Sequence, residues 1–281
     1  MAAAPGKNIF LTGASSGIGR DTAELLLRSG HEIWATSRDK DRLPARDGLH
    51  PLAMDLENAD SIAAAWNRAM SEAGTIDILI QNAALGIFGS VEDVSPADAA
   101  RQWQILVTGP LQLFRLAAAA MRPRRTGTIL GVSSLAAELP LPFAAHYSAG
   151  KAALSALLGG LEMELRPFGV RVIDLRPGDL RTAFNDRLAP TLPAGSAYLP
   201  WAEAAWKESC ALMNRSPGPE LAAQAILDSI APGRGSAVVR CGTFFQARLG
   251  ALGARLLPRH LLLNSIRDYY HLGRVDREQG L

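Results

Sequence analysis

The chain has 281 residues, of which 48% are apolar and 20% charged, with a formal net charge of +2. Those figures suit one large α/β domain with a sizeable core and exclude a strongly basic nucleic-acid-binding surface. The one basic run, Arg122 to Arg125, reads best as a solvated helix end. Two cysteines, Cys210 and Cys241, lie outside any CxxC and away from any His at ligand spacing. No metal site is therefore expected, and both read as reduced thiols of a cytoplasmic protein. The N-terminus, MAAAPGKNIF, lacks the basic start and apolar stretch of a signal peptide. No uncharged apolar run reaches the roughly 18 residues of a transmembrane helix.

In chain order, NIFLTG reads as a first strand. TGASSGIG, Thr12 to Gly19, follows it and opens a helix over Ile18 to Ser29. Gly13, Gly17 and Gly19 permit positive φ and close approach of backbone to a phosphate. The helix start behind them offers unpaired N–H groups and a positive dipole end. Thr12, Ser15 and Ser16 add hydroxyl donors, and Ile18 completes the turn. The alternative is a Gly-rich turn without a ligand.

HEIWATS reads as the second strand. It ends at Ser37 and Arg38, with no carboxylate there to grip the ribose hydroxyls of NAD. Arg38 suits a 2′-phosphate, which points to NADP(H); a plain surface Arg is the alternative. HPLAMDL, the third strand, ends in Asp55 and Leu56. Asp55 is placed to meet an adenine edge or to cap the next helix, Ser61 to Glu72. IDILIQNAA, the fourth strand, ends in Asn82, Ala83 and Ala84. One helix is predicted over Ala97 to Met121.

GTILGVSS, the fifth strand, ends in Ser134. A helix over Ala145 to Arg166 then carries HYSAGK, in which Tyr147 and Lys151 share one face. VRVIDLRPG, the sixth strand, leads through Pro177 and Gly178 to Thr182. From about 182 to 219 no strand is expected. That proline-rich stretch, with Phe184, Tyr198, Trp201 and Trp206, reads as a substrate lid within the domain. A helix over Pro219 to Ile230 and a seventh strand, SAVVRCG, follow. The tail, about 244 to 281, reads as a helical extension. It could cover the substrate mouth, form an oligomer contact or touch a lipid surface. The alternation of strands and helices implies a doubly wound parallel sheet of about seven strands with helices on both faces.

Together TGASSGIG, QNAA, Ser134, YSAGK and PGDLRT resemble the short-chain dehydrogenase/reductase family, in its short single-domain branch. The resemblance runs from Lys7 to about Gly242 and implies a single Rossmann-type domain over 1–281. It implies Tyr147 as general acid/base, Ser134 holding the substrate oxygen, and Lys151 on the nicotinamide ribose, lowering the Tyr147 pKa. It implies that Asn82 fixes the strand beside the cofactor and that Pro177, Gly178 and Thr182 frame the nicotinamide. The chemistry is self-consistent. A free Tyr titrates near 10, and a nearby ammonium favours its phenolate. A Ser hydroxyl can bond a carbonyl oxygen as its charge grows.

Two positions depart from the family. Ala84 stands where Gly is usual. Leu106 stands where an Asn is thought to hold a proton-relay water. The relay then takes another route, the alignment is slipped toward Gln104 or Thr108, or catalysis is weak.

The pocket-facing residues Leu85, Ile87, Leu135, Ala136, Leu139, Leu141 and Phe143, with the lid aromatics, suit a hydrophobic ketone, aldehyde or secondary alcohol. The ATSR strand end, the long lid and the tail resemble the steroid, retinoid and long-chain acyl members of the family, which implies a substrate of that type. The expected activity is an NADP(H)-dependent carbonyl reductase or alcohol dehydrogenase. A 3-oxoacyl-thioester reductase, with Arg181 and Arg187 at the entrance, is one alternative. A catalytically weak NADP(H)-binding regulator is the other. The family's habit implies a homodimer or homotetramer through the two central helices.

Overall fold

Alternate residues of the first strand face opposite layers of helices, which is why its apolar run is nearly continuous. In the computed structural model, which describes residues 6–182, 192–235, 237–243 and 245–280, that strand is β1 (Asn8–Thr12). Ile9 and Leu11 pack on one side and Phe10 on the other, all fully buried. The other strands are β2 (Glu32–Ser37), β3 (Leu49–Ala53), β4 (Ile78–Gln81), β5 (Gly127–Val132), β6 (Val170–Pro177) and β7 (Ala237–Cys241). All pair in parallel in the order β3-β2-β1-β4-β5-β6-β7. This is a Rossmann-type doubly wound sheet with the seven strands read from the sequence. The winding reverses between β1 and β4, so a crevice opens at their carboxyl ends.

Helices α1 (Gly17–Arg28) and α7 (Glu220–Ile230) cover one face, through Leu26, Ala222 and Ile226. Helices α2 (Ala59–Ala73), α4 (Gly109–Met121) and α5 (Ala145–Leu165) cover the other, through Trp66, Phe114 and Leu158. The Asn58 side chain caps α2 by accepting from the backbone N–H of Asp60 and Ser61, at 2.9 and 3.0 Å. Asp55 is therefore not the cap.

Two elements differ from the sequence reading. The single helix expected over Ala97 to Met121 is α3 (Pro96–Trp103), a π turn (Gln104–Thr108) and α4. Pro110 has no N–H to give the carbonyl of Leu106, so the regular ladder cannot run through this point. By length and composition, the run Pro96–Met121 could cross a bilayer, but half of its most apolar window is buried inside the fold. The second difference is α6 (Leu199–Arg215), in the stretch read as an irregular lid. Its Pro200 sits in the first turn, where the missing N–H costs nothing.

The tail forms a π turn (Phe245–Gly250), α8 (Ala251–Leu256), α9 (Arg259–Tyr269) and α10 (Leu272–Glu278). The indole of Trp201 on α6 donates to the Asp276 carboxylate on α10 at 2.8 Å. Ala202 and Ala205 pack with Phe88, Tyr270 and Leu272 in a small third core.

Leu106, in the π turn, is 1% exposed and lies against Gly150 of α5. A Cβ at position 150 would stand 2.7 Å from Leu106 Cδ1 and 3.1 Å from its Cβ. Gly150→Ala should therefore cost about 1–3 kcal/mol by overpacking, and Leu106→Ala about 2–5 kcal/mol by leaving a cavity. In urea unfolding the double variant should lose less than the sum of the two, because each change relieves the other.

Candidate active site

The turn after β1 is held open by glycine. Gly13 has φ +69°, and a Cβ there would meet the Ala83 backbone at 2.9 Å. Gly17 has φ +54°. Gly19 serves packing: its Cβ would stand 2.2 Å from the Gly13 carbonyl oxygen, and it does not line the cavity. Ser16 precedes α1 without capping it through its side chain. The first N–H groups of α1 thus lie behind a glycine cradle, as a phosphate requires.

Asn82 ties this turn to β4. Its amide donates to the carbonyls of Thr12 and Gly13 at 3.0 and 3.3 Å. The backbone N–H groups of Asn82 and Ala83 both donate to the Thr12 hydroxyl at 2.9 Å.

One cavity of about 1,020 Å³ runs from this turn along the strand ends. Its wall includes Gly13, Ser15, Ser16, Gly17, Ile18, Ser37, Arg38, Asp55, Leu56, Asn82, Ala83 and Ala84. At the far end come Ser134, Tyr147, Lys151, Pro177, Gly178 and Thr182. Of the residues named from the sequence for catalysis or cofactor binding, Gly19 and Thr12 are missing from the wall; the buried Thr12 hydroxyl is taken up by the Asn82 and Ala83 N–H groups. A glycine cradle, a helix start and a long crevice fit a nicotinamide dinucleotide. Near Arg38 the wall also carries Arg42, which sequence reasoning missed, and Asp39. The Asp39 carboxylate is engaged as a cap, accepting from the Asp41 backbone N–H at 3.0 Å.

Ser134, two residues past β5, accepts from the Ala136 N–H at 3.0 Å, and its hydroxyl is bonded with that of Tyr147. Lys151 lies one turn after Tyr147 on α5 and donates to the Val132 carbonyl at 2.7 Å. Its Nζ is 5.8 Å from the Tyr147 ring centroid. The titration behaviour differs from the sequence expectation. Burial pushes Tyr147 up to about 12; the Ser134 hydrogen bond opposes that and the Asp179 carboxylate adds to it. Burial also lowers Lys151 to about 8, while Asp174 pulls the other way. Burial, not Lys151, dominates the Tyr147 pKa.

Gln104 donates its amide to the Leu56 carbonyl at 3.1 Å, and Thr108 is exposed. Neither lines the cavity, so neither takes the place of the missing Asn. Among the apolar residues expected at the pocket, Leu85, Ile87, Leu135, Ala136, Leu139 and Leu141 do line it. Phe143 does not and packs on Phe88. Of the lid aromatics, Trp206 lines the cavity, Tyr198 and Trp201 do not, and Phe184 lies outside the described residues.

The sequence reading missed Asp179, Gln246, Tyr269 and Tyr270, which close the substrate end. Asp179 stands inside the PGDLRT motif, so a signal was there. The other three come from a tail without a motif.

The sequence profile described as short chain dehydrogenase matches residues 7–192, more than half of the chain. The chain belongs to this family. A 3-ketodihydrosphingosine reductase of Bacteroides thetaiotaomicron is 33% identical over 178 residues, covering 63% of this chain and 65% of that protein. The chain thus spans just under two thirds of that relative. An NADPH-dependent 1-acyldihydroxyacetone phosphate reductase of Saccharomyces cerevisiae is 30% identical over 202 residues, 69% of this chain and 67% of that one. A Burkholderia phymatum short chain dehydrogenase/reductase solved in complex with NAD shares the fold, with a TM-score of 0.78 at 24% identity over 94% of this chain and 96% of its own.

The Lys151 shift sets a pH signature. Its folded pKa lies below the ordinary 10.5, so folding is penalised while the group must hold its proton, at pH below about 8. The penalty fades as pH rises from about 8 toward the unfolded value. The urea midpoint of the wild type should therefore gain on that of Lys151→Met between pH 7 and pH 9.5. A constant difference between the two would contradict this assignment.

Proposed function

We propose that the chain is an NADP(H)-dependent carbonyl reductase acting on a hydrophobic ketone or aldehyde, reversible in the alcohol direction. The observation that carries this reading is the bonded pair of Ser134 and Tyr147 hydroxyls at one end of a cavity whose other end is the glycine cradle. When bound, the nicotinamide supplies or accepts the hydride. The chain's own residues handle the oxygen. Ser134 holds it, and Tyr147, kept protonated by burial, donates a proton to it as it becomes an alkoxide. Lys151, lowered toward neutrality, is suited to return that proton. Pro177, Gly178 and Thr182 border the nicotinamide end, and Asp55 and Leu56 border the adenine end.

Arg38 and Arg42 together favour a 2′-phosphate over a bare ribose. The mostly apolar wall and the lipid ketones named for two of the relatives support a long-chain substrate. Leu111 on α4 and Met163 on α5 are exposed and support association of copies through the two central helices. The 3-oxoacyl carrier reading has less support: Arg181 is exposed and off the cavity wall, and Arg187 lies outside the described residues. Leu106 is what speaks for a regulator; Ser134, Tyr147 and Lys151, gathered in one cavity, speak against it.

NADPH consumption on a panel of long-chain ketones and aldehydes tests the reading. Tyr147→Phe should lose about a hundred- to ten-thousandfold in kcat and still bind NADPH. Equal turnover by both proteins would sink the proposal. Arg38→Ala and Arg42→Ala should each raise KM for NADPH by about tenfold and leave KM for NADH nearly unmoved.

A further inference from the structure

The substrate end of the cavity carries a carboxylate that neither hydride transfer nor proton transfer needs. Asp179 follows Gly178 after β6 and is partly buried on the cavity wall. Gln246, from the π turn of the tail, clasps it from both sides. The Gln246 side-chain oxygen Oε1 accepts from the Asp179 backbone N–H at 3.2 Å, and the Gln246 side-chain Nε2 donates to Asp179 Oδ2. The clasp depends on glycine: a Cβ on Gly178 would stand 2.7 Å from Gln246 Oε1. The chain thus brings a tail residue across the cavity to fix this one carboxylate in place.

No cation among the described residues answers it. Among the described residues no Lys or Arg forms an ion pair with Asp179. The cations on the cavity wall, among the described residues, are Arg38, Arg42 and Lys151. The two arginines stand in the segment after β2, and Lys151 is taken up by the Val132 carbonyl with Asp174 as its countercharge. Burial accordingly holds the Asp179 carboxyl above its ordinary range. A partly buried carboxylate without a countercharge is costly unless a ligand brings one.

Its neighbours are aromatic. Asp179 is near enough to raise the pKa of Tyr147, Tyr269 and Tyr270 alike. Tyr269 and Tyr270 stand edge to face with centroids 5.5 Å apart, and both line the cavity. One carboxylate among tyrosine rings is a chemistry that selects an ammonium: the charge pairs with the carboxylate and the rings accept the cation.

Taken with the reductase reading, on which this rests, we propose that Asp179 forms an ammonium subsite beside Tyr147. The preferred substrate is a long-chain ketone with an amine on the carbon next to the carbonyl. The ammonium pairs with Asp179, the carbonyl oxygen meets Ser134 and Tyr147, and the alkyl chain lies along Leu139, Leu249, Leu257 and Leu262 of the cavity wall.

The test compares 2-aminododecan-3-one with dodecan-3-one and with the N-acetylated amine, by NADPH consumption. Wild type should prefer the free amine over the other two by about a hundredfold in kcat/KM, and Asp179→Asn should cut that ratio to within about threefold of one, whichever way absolute rates move. A variant that lowers all three substrates equally would show a structural role and overturn the subsite. Should Asp179→Asn fail to fold, the wild type alone decides. Dodecylamine should inhibit dodecan-3-one reduction at concentrations about tenfold or more below those of dodecan-1-ol. Equal inhibition by the two overturns the proposal. Turnover of dodecan-3-one without amine preference removes the subsite and leaves the reductase reading standing; no turnover of any member removes both.

Discussion

The Lys151 ammonium, 2% exposed, donates to the carbonyl that ends β5, and most of the site hangs on that bond. It fixes α5 against the sheet at Val132, two residues before Ser134. Tyr147 lies one turn earlier on the same helix, so its hydroxyl is delivered to Ser134 by the geometry of α5. Behind the bond stands a buried polar network. Asp174, 5% exposed on β6, accepts from the hydroxyls of Ser133 and Ser155 and from the Arg176 guanidinium. Arg176 and Arg240 in turn share the Glu138 carboxylate. Such a network is retained only when its members satisfy one another, and here each charge has its partner.

Burial sets the protonation states around that bond more strongly than proximity does. It drives Tyr147 and Lys151 toward their neutral forms, in opposite numerical directions. Burial keeps Tyr147 in its protonated form, the form with a proton to give to a carbonyl oxygen. A lysine that releases its proton near neutrality suits resupply. Leu106 contributes nothing to that traffic. It fills the space beside Gly150 instead, so the kinked helix and α5 meet through an apolar contact.

What the sequence revealed and what it hid divide along physical lines. All seven strands were legible because buried parallel strands are short apolar runs. The glycine turn, Asn82 and the Tyr147–Lys151 pair were legible because their spacing is fixed by strand ends and helix periodicity. The π turn was hidden because the long apolar run over Ala97 to Met121 reads as one helix straight across Pro110. Helix α6 was hidden by the prolines on either side of it, while its own Pro200 sits where a helix start accepts it. Gln246, Tyr269 and Tyr270 were hidden because only tertiary packing brings the tail back across the cavity. Arg42 was within reach, four residues beyond Arg38, had the short turn between them been considered.

The boundary of the family match gives the architecture another meaning. The profile ends at residue 192, after Ser134, Tyr147 and Lys151 and before the helices that wall the far end of the cavity. Asp276 binds Trp201 on α6 and Arg267 on α9, so those later helices are cross-braced to one another. The molecule is thus a family scaffold fitted with an internally braced chamber, which meets it at points that include Gln246 on Asp179 and Phe88 in the small third core. Changes to the chamber away from those points can alter its shape while the scaffold keeps its own.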